Sequence, residues 1–162
     1  MNLRYLVLAM LAAVAVTIRP VAAAEIDFSK AITIGSGPKI VVEFTDPDCP
    51  HCRNASKYFE GRSDVTRHVF FYPLARHPRA KEKAQFVLSM QNKARAYHDV
   101  MSGKLDAVPL LASTPDGVRM LEQQREIAKK QKVDSTPTFM INGRVIEGFD
   151  LRKIEDALGG KQ

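Results

Sequence analysis

The chain has 162 residues, 45% of them hydrophobic, with two cysteines and 24 basic against 18 acidic side chains. That length suits one domain able to bury its own core without staples, and the small excess of positive charge argues against a nucleic-acid partner. The basic residues alternate with acids, as at 79–83 and 122–132, in the manner of solvated helix faces.

Residues 1–24 read as a secretory signal, with Arg4 as the positive n-region, Tyr5 to Val16 as the apolar core and Ala22-Ala23-Ala24 as a small-residue cleavage site. The apolar run is followed by Arg19 and Pro20 and falls short of the roughly 20 residues needed to span hydrocarbon. No cysteine follows it, so lipid attachment has no acceptor. The expected product starts at Glu25, is soluble, and has 138 residues and a net charge of +4.

Lys39 to Phe44 is a β-rich, mostly apolar run, the pattern of a strand buried on both faces, with Glu43 as its exception. After Thr45-Asp46-Pro47-Asp48, residues Cys52 to Phe59 lose that pattern and predict a helix ending near Gly61, with Asp48 close to its start. Thr66 to Tyr72 reads as a second central strand stopped by Pro73. From Arg79 to Met101, apolar residues at spacings of three and four predict one buried helical stripe. The stripe resumes at Val118, Leu121, Ile127 and Ala128, with Asp116 as the cap. Thr138 to Glu147 predicts a hairpin turning at Asn142-Gly143, which tolerates positive φ at both turn positions. Leu151 to Leu158 closes the chain as an amphipathic helix. The order of elements is that of an α/β fold, with no internal repeat.

Both cysteines sit at the first strand-to-helix turn. Closing so short a loop restrains little of the unfolded chain, so stabilisation explains the pair poorly. At a helix N-terminus Cys49 meets unpaired N–H groups and the positive end of the dipole, which favours its thiolate. Cys52, one turn further in, is placed to attack a mixed disulfide on Cys49. Pro50-His51 tunes the pair, since His51 can offer a hydrogen bond or positive charge to the sulfur. A structural zinc needs four ligands, and His68, His77 and His98 are too scattered to supply them. Carriage of Cu(I) by the thiolates stays open as an alternative. Glu43 reads either as a buried acid that moves a proton for Cys52 or as an acid at a strand edge facing water. Pro137, entering the hairpin, is either cis, leaving the Thr136 backbone facing the cysteines for an extended substrate, or trans at the end of a loop.

Val41 to Asp46, Cys49-Pro50-His51-Cys52, Thr136-Pro137-Thr138 and Gly148-Phe149, in this order, resemble the thioredoxin superfamily and within it the periplasmic Dsb proteins. Lys93 to Lys104 resembles the helical insert of the DsbC and DsbG catalytic domain. The resemblance implies a thioredoxin-like fold over residues 25–162, with a central mixed sheet, flanking helices and a helical insertion at about 79–132. It further implies a nucleophilic Cys49, a resolving Cys52, a cis Pro137 after Thr136, and Glu43 in the place of the family's buried acid. The N-terminal dimerisation domain and second cysteine pair of DsbC are missing, and Pro50-His51 is similar to the dipeptide of DsbA. The expected protein is a monomeric periplasmic dithiol-disulfide oxidoreductase, an oxidase or a reductase, without cofactor or metal. Its expected partners are the cysteines of exported proteins and a membrane redox partner that recycles the pair.

Overall fold

The computed structural model describes residues 25–109 and 111–159. The signal read at 1–24 lies outside them. Five strands form one mixed sheet: β1 (Ile32–Ile34), β2 (Lys39–Thr45), β3 (Val65–Phe71), β4 (Thr138–Ile141) and β5 (Arg144–Glu147), in the spatial order β1-β3-β2-β4-β5. Only β2 and β3 run parallel, as expected of two strands joined by a helix, α1 (Pro50–Glu60). The other neighbours are antiparallel. Asn142 and Gly143 both take positive φ, 48° and 76°, which closes the β4–β5 hairpin with the twist its strands require.

Val41 to Thr45 are buried as the apolar run predicts, whereas Ile40 at the start of β2 is 46% exposed. Alternation along the strands sorts the core between two faces. Val41, Val65, Phe139 and Ile141 pack with Ala55 and Phe59 of α1 and with Ile154 of α5 (Leu151–Ala157). Val42, Phe44 and Phe70 pack with Ala128 of α4 (Pro115–Lys130). A third cluster joins the cysteines to Val69, Phe71, Tyr97 and the buried side of α2 (Ala80–Ser89) and α3 (Lys93–Met101).

The helices between β3 and β4 depart from the sequence reading in three ways. The single stripe predicted over 79–101 is two helices, because Asn92 accepts a hydrogen bond from the Arg95 N–H at 2.9 Å and so starts α3 afresh. Thr114, and not Asp116, caps α4, accepting from the Gly117 N–H at 3.1 Å, with Pro115 in the first helical position. Lys83, read as part of a solvated face, is 3% exposed. The edge strand β1, three residues long, went unread.

Among the described residues no helix is long and apolar enough to cross a membrane.

Candidate active site

The turn after β2 is organised by Asp46, a buried residue that sequence reasoning passed over. Its Oδ1 accepts from the Asp48 N–H at 2.8 Å, the Asx-turn that an Asp-Pro-Asp sequence favours. Its Oδ2 accepts from the Leu74 N–H at 2.7 Å and faces His77 Nδ1 at 2.8 Å, fastening the turn to the loop after β3. The Asp46 main chain reaches both cysteines: its carbonyl accepts from the Cys49 N–H at 3.1 Å, and its N–H donates to Cys52 Sγ at 3.4 Å.

Cys49 is the N-cap of α1 and Pro50 its first residue, where a fixed φ and a missing N–H cost nothing. Both cysteines are free thiols, Cys49 3% and Cys52 0% exposed. Their surroundings act in opposite directions. The Cys52 thiol, followed by the main-chain N–H groups of Cys52 and His51 and the Thr136 hydroxyl, draws the Cys49 pKa down from 9.0 to about 5 against the cost of burial. Cys52 is pushed far up, by burial first and then by donating to Cys49 and facing its charge; the Asp46 N–H and Thr45 hydroxyl oppose this only partly. One thiol is thereby an anion at neutral pH and the other a protonated donor to it.

The Thr136-Pro137 bond is cis, and the Thr136 carbonyl lies 3.5 Å from Cys49 Sγ, where it accepts from the thiol while that is protonated. That loop, just before β4, therefore faces Cys49. His51 contributes differently from its sequence reading. Its imidazole is exposed and makes no hydrogen bond among the described residues, and the group it turns toward the sulfur is its main-chain N–H.

Glu43 is buried, which removes the water-facing alternative, but it is not unpaired. Arg67, itself buried on β3, donates to Glu43 Oε2 at 2.9 Å and stacks on the rings of Phe59 and Tyr97 at 5.2 and 5.4 Å. The Tyr97 hydroxyl completes the group, donating to Glu43 Oε1 at 3.5 Å. The remaining histidines are satisfied locally: His98 lies 3.0 Å from Glu60, and His68 3.3 Å from the Thr33 hydroxyl. Among the described residues no group of three or more His, Cys, Asp or Glu side chains is placed to hold a metal ion.

Among solved structures, the chain is similar to a disulfide interchange protein from Neisseria gonorrhoeae. The two share 28% identity over 85% of this chain and 100% of that one, with a TM-score of 0.71. ScsC from Proteus mirabilis in a transitional conformation is 21% identical over 81% of this chain and 72% of its own, with a TM-score of 0.62. The thiol-disulfide exchange protein alpha-DsbA2 from Wolbachia pipientis is 18% identical over 80% and 86%, with a TM-score of 0.61. At that identity these two speak for the fold alone. No curated relative matches the chain. The thioredoxin-like domain family matches residues 29–153, a span that takes in the sheet, both cysteines and the Thr136-Pro137 loop, and the chain belongs to that family.

Proposed function

We propose that the chain is a dithiol-disulfide oxidoreductase acting on cysteines of exported proteins, with Cys49 as nucleophile and Cys52 as resolving thiol. The observation that carries this reading is the opposed setting of two thiols one helical turn apart, one favoured as thiolate and one held protonated. In the reductive direction the Cys49 thiolate attacks a substrate disulfide, forming a mixed disulfide and releasing one substrate thiolate. Cys52 then loses its proton and attacks Cys49 Sγ, which forms the Cys49–Cys52 disulfide and releases the second thiolate, so two electrons pass to substrate. Oxidation of substrate is the same sequence reversed. Stabilising the Cys49 thiolate stabilises the reduced pair, which favours donation of disulfides, and we propose that direction.

Thr136 and Pro137 are proposed to receive the extended substrate next to Cys49. Pro50 and His51 are proposed to tune the pair through the first turn of α1. Glu43, on the strand leading into this turn, is the carboxylate proposed to take the Cys52 proton. A secretory signal at 1–24 would carry the protein to the periplasm; we propose separately that it acts there as a monomer and that a membrane redox partner recycles the pair.

Trapping tests the assignment. Cys49→Ser abolishes exchange, whereas Cys52→Ser still attacks substrate and accumulates mixed disulfides visible on non-reducing gels. Equal trapping by both variants would reverse or dissolve the roles. A potential of about −120 mV fits a disulfide donor, and one of about −270 mV a reductase. Release of mixed disulfides at an unchanged rate in Glu43→Gln would remove Glu43 from the exchange.

A further inference from the structure

Beside the redox turn lies a cluster of four charges that the exchange chemistry above does not use. Lys83 of α2, whose side chain is 4% exposed, donates through Nζ to Asp48 Oδ1 and, at 2.6 Å, to Asp106 Oδ1. Arg53 of α1 holds the same Asp106 with two parallel bonds of 2.7 and 2.8 Å, and its Nε donates to the Pro47 carbonyl at 2.8 Å. Its Nη2 also lies 3.5 Å from Asp48 Oδ1. Arg79 closes the arrangement by donating to the carbonyls of Asp106 and Val108 at 2.8 and 2.7 Å, its own charge paired with Glu82. The packing is close: a Cβ on Gly103, which has φ of 83°, would stand 3.2 Å from Asp106 Oδ2 and 3.6 Å from Arg53 Nη1.

Two features separate this cluster from an ordinary surface ion pair. A lysine so nearly excluded from water is tolerated only with strong partners. Its nearest partner, Asp48, immediately precedes the nucleophile. An uncompensated carboxylate there would oppose a thiolate on Cys49. Lys83 and Arg53 against Asp48 and Asp106 sum to zero, so removing Lys83 alone leaves one net negative charge in the cluster that includes the residue before Cys49.

We propose that Lys83 is a positioning residue for exchange at Cys49: its buried ammonium cancels the Asp48 carboxylate and ties the redox turn to the helices inserted between β3 and β4. The inference rests on the proposed exchange function but concerns a property of the resting protein. The other charged and titratable groups around this turn are Asp46 and His77 from the loops, Cys52 and the exposed His51 from α1, Arg79 at the N-cap of α2 and Glu82 within it. All of them stay in place in the variants below.

The test is a cycle of Lys83→Met, Asp48→Asn and the double variant in the full chain, with the Cys49 pKa read from thiolate absorbance and the potential from glutathione titration. Lys83→Met is expected to raise the pKa by roughly half a unit to one unit, and to move the glutathione equilibrium roughly 3- to 10-fold toward the disulfide form. Asp48→Asn is expected to lower the pKa, and the double variant to return close to the parent value, the signature of two coupled charges. A merely structural tether would shift unfolding without moving either readout. A folded Lys83→Met with parent pKa and potential, or a double variant that keeps the full Lys83→Met shift, would overturn the proposal. If Lys83→Met fails to fold, an unmoved pKa in Asp48→Asn overturns it equally. The absorbance titration needs no substrate, so a lack of exchange activity would count against the proposed function and leave this pairing to be judged by its own shifts.

Discussion

Titrating the reduced protein against unfolding reads the Cys49 environment directly. The unfolded chain holds this thiol near 9.0, and the folded chain near 5. Below pH 5 both states keep the proton and the site contributes nothing. Between the two values only the folded state ionises, so stability rises by about 1.36 kcal/mol per pH unit, and it is lost again as pH falls through the folded value. At pH 7, two units above the folded value, the contribution is roughly 2–3 kcal/mol. Cys52, pushed upward, does not titrate in this window; its opposing effect begins only where the unfolded thiol ionises. The assay is urea unfolding of the reduced protein and of Cys49→Ala from pH 4 to 8, because the difference between the two cancels every other group. That difference should be flat to about pH 5 and grow by roughly 2–3 kcal/mol by pH 7. A difference that stays flat from pH 4 to 7 would show that the helix start does not hold a thiolate, and the asymmetry behind the proposed roles would fail with it.

Three further perturbations separate the contributions to the site. His51→Ala should move the Cys49 pKa by less than about half a unit, because the imidazole is exposed and the main-chain N–H survives; His51→Pro, which removes that donor at a position a helix start tolerates, should raise it by about one unit by thiolate absorbance. Asp46→Ala leaves the Asp48 and Leu74 N–H groups without their acceptor and should cost about 2–4 kcal/mol in urea unfolding while slowing exchange. Arg67→Met strands the Glu43 carboxylate and should cost about 3–5 kcal/mol, whereas Glu43→Leu combined with Arg67→Met should cost little or stabilise; equal losses in both would mean that the pair carries no buried charge.

The site divides into parts that local chemistry dictates and parts that it does not. Asn142-Gly143 forces its turn because both positions need positive φ, and a cysteine followed by proline at a helix start has few other places to be, so the hairpin and the thiol pair were readable from a few residues each. The break between α2 and α3 was not, because Val87, Leu88, Ala94 and Tyr97 keep the apolar stripe in step across it and only Asn92 marks the new start. The strand β1 has three residues, too few for an alternation to declare itself. The cis bond at Pro137 follows from the resemblance and not from the residues, since proline alone favours trans.

Buried charge is the part of this protein that a residue-by-residue reading places wrongly, and the reason is visible in the pairings. Taken alone, Lys83 and Arg67 belong outside, since an isolated charge in a core costs several kcal/mol. Each is inside because its partner arrives from a distant segment. Lys83 meets Asp48 and Asp106 only after the helices between β3 and β4 fold back on the turn before α1. Arg67 meets Glu43 through the parallel register of β2 and β3, which sets Val41 opposite Arg67 and Glu43 opposite Val69. That makes Arg67 and Glu43 diagonal neighbours on one sheet face, a separation that long side chains cross. A slip of one residue would turn the two charges to opposite faces and leave each without its partner. The Arg67–Glu43 pair thus penalises wrong registers of the two strands that carry α1 between them, which links the placement of the cysteines to a contact that neither residue reveals by itself.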